Sequence, residues 1–201
     1  MGVELSCSLR WSKTLSNAVG RFKYLDFFTT PVLLSSGLGE QGLRVAFEKH
    51  LLVDGANLVH AWPELRALMK SDREVARSQL TQRLVAIHDA EQTRVTLVFD
   101  GRGDELVVER PLGHLTFSVL YTPSSLTADD VIEQLIGRAV DPALCLVATG
   151  DQAERQTVEA SGAVCVSPMD LASWVERAEA RLTATVAGVN RTNARKWRKS
   201  A

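Results

Sequence analysis

Short apolar runs alternate with longer amphipathic stretches from residue 50 onward. The clearest runs are residues 51–53, 95–99 and 144–148. Runs of this length bounded by turn residues are typical of strands that are buried on both faces of a parallel sheet. Because helical stretches separate them, the pattern predicts an α/β fold in which helices cover both sides of a central, mainly parallel sheet.

Polar residues mark the expected helix starts. Four segments have the form of a capping box, in which a side-chain oxygen accepts hydrogen bonds from first-turn N–H groups: Ser71-x-x-Glu74, Thr127-x-x-Asp130, Asp151-x-x-Glu154 and Ser167-Pro168-x-Asp170. They predict four helices, over residues 72–92, 127–139, 152–160 and 168–184. A short helix or turn is expected over residues 62–69. The buried stripe of the first long helix is predicted to contain Val75, Leu80, Leu84 and Ile87.

The remaining apolar runs complete the expected sheet and divide the chain. Residues 105–110 and 115–121 are predicted to pair as a hairpin, and residues 163–166 to form a last strand. With 201 residues, the chain is long enough for one core and an appendage. We expect an N-terminal extension without clear periodicity at 1–49, a domain at 50–184 and a basic C-terminal tail at 185–201.

Charge and cysteine content narrow the function classes. The formal net charge of -1 gives no overall attraction to nucleic acid, so such binding needs a local patch. Three cysteines without a CxxC spacing favour a reducing compartment over a disulfide framework or a zinc site. No apolar run has the length of a membrane span, and the N-terminus lacks the order of a signal peptide. A cytoplasmic location is expected.

Four aspartates are the candidate functional residues. Asp54, Asp100 and Asp151 follow predicted strands, and Asp129 opens a predicted helix. In parallel sheets, ligands collect at the carboxyl ends of the strands. Clustered carboxylates repel one another unless a cation binds, and oxygen ligands suit Mg²⁺ or Mn²⁺. The four positions therefore predict a divalent-metal site for phosphodiester hydrolysis, whereas Asp130 is assigned to helix capping.

Other mechanisms have less support in the residues. No P-loop or GxGxxG follows a strand, and the histidines lack metal-ligand spacing. A phosphatase that uses an aspartate nucleophile needs a second aspartate two residues later, but Ala56 stands there after Asp54.

A family resemblance sharpens this prediction. The residues that carry it are 52–58, which contain Asp54 and Asn57, then Val98-Phe99-Asp100, residues 117–122, Thr127-Ala128-Asp129-Asp130-Val131-Ile132-Glu133, and Ala148-Thr149-Gly150-Asp151. In this order, they closely resemble the YacP-like NYN domain family over residues 51–181. The chain departs from the family pattern at Ala56, at Gly150 and after Asp100.

The resemblance implies a PIN-like three-layer α/β/α sandwich and an endoribonuclease that depends on Mg²⁺ or Mn²⁺. It implies RNA as the partner, and in one branch mRNA on the ribosome. The metal ligands would be Asp54, Asp100, Asp129 and Asp151, and Asn57 would hold the loop or a water. Residues proposed to contact RNA are Arg102, Arg110, Arg195, Lys196, Trp197 and Arg198.

A non-catalytic PIN-like module that binds RNA or the ribosome is the alternative function. It has no use for four mutually repelling carboxylates, and metal titration distinguishes it from a nuclease. The sequence leaves the RNA substrate, the number of metals and the oligomeric state open.

Overall fold

A computed structural model of the chain describes residues 47–200; within this range the side chains of residues 102, 194–196 and 198–200 are not described. The extension predicted at residues 1–49 therefore lies outside the described residues, apart from its last three positions. In the described part of the chain, no helix combines the length and the apolar character that a membrane crossing requires.

Six strands and six α-helices make up this part of the chain. The strands are β1 (His50–Asp54), β2 (Arg94–Gly103), β3 (Val107–Glu109), β4 (Phe117–Pro123), β5 (Cys145–Ala148) and β6 (Val164–Val166). The helices are α1 (Gly55–Ala61), α2 (Pro63–Ser71), α3 (Arg73–Glu91), α4 (Ala128–Ile136), α5 (Gln152–Ala160) and α6 (Pro168–Ser200), and a 3₁₀ turn spans Pro142–Leu144.

The strands form one sheet in the order β3-β4-β2-β1-β5-β6. All neighbouring strands are parallel except β3 and β4, which pair as the antiparallel hairpin predicted from the sequence. The mainly parallel α/β sheet is thus confirmed. Because β1 is central, the carboxyl ends of β2 and β5 lie on either side of its own carboxyl end, Asp54.

The side chains of β1 alternate between the two faces of the sheet, and each face has its own part of the hydrophobic core. Leu51 and Val53 pack with α1, α2, α3 and α6, whereas Leu52 packs with α4 and α5. Successive strand side chains point to opposite faces, so Asp54 is directed to the same side as Leu52. The Asp54 carboxylate therefore points toward the first turns of α4 and α5.

Two predicted helix details are wrong and one helix was not predicted, each for a local reason. The cap of α3 is Asp72, not Ser71, since the Asp72 carboxylate accepts hydrogen bonds from the N–H groups of Glu74 and Val75 at 2.9 and 3.2 Å. This start places Ala76 in the buried stripe and leaves Val75 47% exposed. The short helix α1 was also missed, because Asp54-Gly55 has the composition of a turn.

Strand β2 and helix α6 run furthest beyond their predicted ends. Strand β2 continues beyond Asp100 to Gly103, with a shift in its pairing with β4 between Phe99 and Gly103. Helix α6 continues to Ser200, so no element ends at residue 184. The expected boundary between domain and basic tail falls inside one helix.

Close packing at the β1–α1 junction requires Gly55. A Cβ built on Gly55 would lie 2.3 Å from Cε1 of the buried Phe99 ring. We expect Gly55→Ala to lower the free energy of unfolding by roughly 1–3 kcal/mol, because the ring must move within a packed core. Urea unfolding followed by circular dichroism measures this change.

The matched control is Gly188→Ala in α6, where a Cβ would meet no atom within 4 Å. There the better helix propensity of alanine should leave stability unchanged or raise it by up to about 1 kcal/mol. Equal stability of the two variants would show that Phe99 accommodates the added methyl group without strain.

Candidate metal centre

The centre is built on Asp54, the last residue of β1. Asp54 is only 8% exposed, and its Oδ1 accepts a hydrogen bond from the Asn57 N–H at 3.0 Å. This bond caps α1 and fixes the orientation of the carboxylate. A buried carboxylate is thereby held at the carboxyl edge of the sheet, on the side of α4 and α5.

Two further carboxylates meet Asp54 there. They belong to Asp129, in the first turn of α4, and Glu154, in the first turn of α5. One oxygen from each of Asp54, Asp129 and Glu154 lies within 4.8 Å of the others. We call these three residues the acidic cluster. They come from three separate elements, so only the folded chain brings them together.

Glu154 is the member that the sequence did not reveal. It is 4% exposed, and neither carboxylate oxygen has a hydrogen-bond partner of normal geometry among the described residues. The predicted capping box implies that the Glu154 carboxylate accepts a hydrogen bond from the Asp151 N–H. In the structure, this N–H donates instead to Thr149 Oγ1 at 3.0 Å. One signal was available: Glu154 lies one turn before the buried Val158, on the apolar face of α5.

The other two predicted aspartates border the acidic cluster. Asp100 Oδ1 accepts from the Ala128 N–H at 2.9 Å, and Asp151 Oδ1 accepts from the Ala153 N–H at 2.7 Å. Each thus caps a helix that carries a cluster residue, and each is exposed. Their negative charges nevertheless reach the cluster, Asp100 acting on Asp54 and Asp151 acting on Glu154. Direct metal ligation by these two residues stays a prediction.

The electrostatics of the cluster favour a cation. Burial, followed by the charge of Asp129, raises the pKa of Asp54 to about 6, although the Asn57 N–H opposes the shift. Burial, followed by the charges of Asp129 and Asp54, raises the pKa of Glu154 to about 7, with the Thr149 hydroxyl acting in the opposite direction. The pKa of Asp129 is raised by burial and by Asp151. Bound positive charge would relieve this shared penalty.

Asn57 connects the ends of two adjacent strands beside the cluster. Its Oδ1 accepts a hydrogen bond from the Gly150 N–H at 2.9 Å, which ties the loop after β1 to the loop after β5. Asp54 is close in sequence to Asn57, and Glu154 is close to Gly150. The hydrogen bond between Asn57 and Gly150 therefore helps to keep the two carboxylates together. The functional role expected for Asn57 stays a prediction.

Comparison with known proteins identifies the family. Residues 51–201 match the model of the YacP-like NYN domain. The chain belongs to this family. It is 33% identical over 133 residues to the protein YacP of Bacillus subtilis (strain 168), a match that covers 66% of this chain and 78% of YacP.

Solved structures of the same relative share the NYN fold. The crystal structure of Rae1 (YacP) from Bacillus subtilis has a TM-score of 0.59 and 31% identity, covering 76% of this chain and 88% of that one. A tryptophan-to-leucine mutant of that protein also has a TM-score of 0.59 and 31% identity, with 71% and 83% coverage. The family assignment is consistent with a nuclease-like role that involves RNA.

The residues predicted to contact RNA are spread widely over the NYN domain. Helix α6 begins at the carboxyl edge, where the Pro168 carbonyl accepts from Trp62 Nε1 at 2.9 Å. It runs to the opposite edge, where Arg181 pairs with Glu91 at 3.1 Å. A rise of about 1.5 Å per residue then places position 197 roughly 40 Å from Pro168 along the helix. The basic end of α6 therefore lies far from the acidic cluster.

Among those residues, the Trp197 ring is 79% exposed on this distant part of α6. Arg102 lies in the extension of β2, two residues after Asp100, and Arg110 follows β3. The side chains of Arg102, Arg195, Lys196 and Arg198 are outside the described set. Contact of these residues with RNA stays a prediction.

Proposed function

We propose that this NYN domain is an endoribonuclease that hydrolyses RNA phosphodiester bonds with Mg²⁺ or Mn²⁺ as its cofactor. One observation carries the proposal: three carboxylates from separate elements converge within 4.8 Å at the carboxyl edge of the sheet. The family assignment supports RNA as the substrate class. Association with mRNA on the ribosome is proposed from the family resemblance alone.

The donor set suits the proposed cofactor. Mg²⁺ and Mn²⁺ take carboxylate oxygens and usually keep several waters. Asp54, Asp129 and Glu154 would hold the ion. The buried oxygens of Glu154 have no hydrogen bond of normal geometry with another described residue, and a cation would satisfy them. When bound, such an ion supplies a Lewis acid that offsets the charge developing on the phosphoryl oxygens.

The protein's own residues prepare the site for that chemistry. The Asn57 N–H orients the Asp54 carboxylate, and the Asn57 side chain holds Gly150. Asp100 and Asp151 fix the starts of α4 and α5, and thus the positions of Asp129 and Glu154. Preorganisation of this kind avoids reorganisation of the site when RNA is bound.

A non-catalytic RNA-binding module explains the cluster less well. Burying the Glu154 carboxylate without a hydrogen bond of normal geometry from another described residue lowers the stability of the metal-free protein. A protein that only binds RNA gains nothing from that arrangement, because an uncompensated acidic cluster repels the phosphate backbone. Metal binding by the cluster is therefore the property that separates the two functions.

Metal removal tests the proposal. We expect purified protein to cut labelled single-stranded RNA in millimolar Mg²⁺ or Mn²⁺, to stop in excess EDTA, and to resume when the metal is restored. Calorimetric titration with Mn²⁺ should show binding in the absence of RNA. Cutting that is insensitive to EDTA would exclude the metal mechanism, and absence of Mn²⁺ binding at millimolar concentration would favour the binding module.

A further inference from the structure

A cleft of about 410 Å³ opens on the α3 side of the sheet, at the end of β2 that carries Asp100. It lies between the first turn of α3 and the β3–β4 hairpin, and Asp100 belongs to its lining. Other lining residues are Arg73, Arg77, Val107, Tyr121 and Thr122. The volume falls within the range of roughly 300–1,000 Å³ that is usual for small-ligand pockets.

Arg77 gives this cleft a fixed positive charge. Its guanidinium carbon lies 5.0 Å from the centroid of the Phe99 ring and 5.4 Å from that of Tyr121, and Nη1 is 2.9 Å from Glu74. Its Nε is buried and has no hydrogen-bond partner among the described residues. Ring stacking and the ion pair hold the cation in place, so little side-chain entropy remains to be lost when a ligand binds.

Arg73 supplies a second cation. It is exposed at the start of α3 and makes no ion pair or hydrogen bond with another described residue. Of the acidic lining residues, Glu74 is paired with Arg77, and Asp100 lies on the side of the acidic cluster. Glu105 is the remaining acidic residue of the lining. Arg73 is therefore the arginine of this lining that is available to an anionic group.

The hairpin side of the cleft is apolar. Val107 is 50% exposed on β3, and the half-buried Tyr121 ring stacks on Phe99 with a centroid distance of 5.8 Å. An apolar surface near an exposed arginine matches a ligand that has a flat ring at one end and a phosphate at the other. Nucleotides of single-stranded RNA have this chemistry, and proteins bind them by stacking and by contacts to the backbone.

We propose that this cleft binds one nucleotide of a single-stranded RNA, next to the phosphodiester bond that is positioned at the acidic cluster. Arg73 contacts the backbone phosphate, and Val107 and Tyr121 contact the base. The cleft accepts a single strand because a paired base cannot leave its helix to enter without unstacking. This assignment rests on the proposed function, since it takes RNA as the substrate.

The test measures RNA binding separately from cutting. Fluorescence anisotropy with labelled single-stranded RNA is carried out in Asp129→Asn protein, so that bound RNA stays intact. Arg73→Gln and Val107→Asp are each expected to weaken binding by roughly 3- to 10-fold. Arg73→Gln should also reduce the slope of log affinity against log salt by about 0.7, the value for one lost phosphate contact on a single strand.

Matched controls lie at distant parts of the fold. Arg181→Gln removes the same charge at the opposite edge of the sheet, and Val164→Asp adds the same charge on the other edge strand, at a side chain that is 46% exposed. Both controls should bind RNA like the parent, and all four variants should keep the parent's melting temperature.

Cleft variants that bind RNA as tightly as their controls would overturn the assignment, as would duplex RNA that binds as tightly as the single strand. Failure of the proposed function is a separate result. It would appear as wild-type protein that does not cut RNA with Mg²⁺ or Mn²⁺, whatever the cleft variants bind.

Discussion

Replacing Glu154 with glutamine is expected to reduce metal-dependent RNA cleavage by at least roughly a hundredfold and, at the same time, to stabilise the metal-free protein. Removing residues that only orient metal ligands already lowers metal affinity or activity by about 10- to 100-fold, so loss of a ligand oxygen should have at least that effect. The stabilisation has a different origin. Glutamine keeps the size of the side chain but removes a buried negative charge that Asp129 and Asp54 repel.

The stabilising effect depends on pH with a defined sign. The pKa of Glu154 is raised from 4.5 to about 7 in the folded protein, so the folded state binds more protons than the unfolded state between these values. The free energy of unfolding of the metal-free protein should therefore fall as pH rises through this window. Above about pH 7 the penalty is fully present, and there Glu154→Gln should add roughly 1–3 kcal/mol.

Urea unfolding in EDTA between pH 5 and pH 8 measures the pH dependence of the free energy of unfolding. Calorimetry with Mn²⁺ measures the loss of metal binding. Glu159→Gln is the matched control, because Glu159 lies on the same helix but is 57% exposed and pairs with Arg155 at 3.5 Å. That variant should change neither metal binding nor the pH dependence. If Glu154→Gln behaves like Glu159→Gln, Glu154 is no part of a metal site.

Two neighbouring aspartates should respond very differently to the same substitution. Asp129→Asn is expected to lower RNA cleavage and Mn²⁺ affinity by at least roughly a hundredfold, since it removes a carboxylate of the acidic cluster. Asp130→Asn should leave both close to the wild-type values. Asp130 Oδ2 accepts a hydrogen bond from the Thr127 N–H at 2.9 Å, so its role is to cap α4.

The asparagine side chain retains an acceptor oxygen, so Asp130→Asn should lower stability by less than about 1 kcal/mol. Cleavage assays, Mn²⁺ titrations and melting curves on the two variants provide the comparison. Equal loss of activity in both variants would point to disruption of α4 as a whole. Retained cleavage in Asp129→Asn would remove this residue from the centre.

Much of the fold could be predicted because its signals are local. Strands β1 and β5 and the β3–β4 hairpin follow from apolar runs bounded by turn residues. The capping box at Thr127 is present with both of its hydrogen bonds. Such signals depend on neighbours within a few residues, which a sequence displays directly. Errors arose where two neighbouring residues could both serve as the helix cap, as Ser71 and Asp72 could for α3.

The candidate site was predictable only in part, for the same reason. Asp54 and Asp129 are surrounded by motif residues, which indicated their positions. Glu154 lacks such a motif, and the spacing Asp151-x-x-Glu154 has an ordinary helix-capping meaning. Its side chain is buried beside Asp54 because α5 packs its Val158 face onto the sheet, and that contact is made across the fold.

The sequence by itself determined the family, the mainly parallel α/β sheet and the presence of aspartates at its carboxyl edge. The tertiary structure alone decided which carboxylates meet, that Asp100 and Asp151 cap helices at the border, and that the basic end of α6 points away from the site. The physical reason is distance along the chain. Periodicity and capping act within a few residues, whereas the acidic cluster joins positions 54, 129 and 154, which only the packing of α4 and α5 on β1 brings within 4.8 Å.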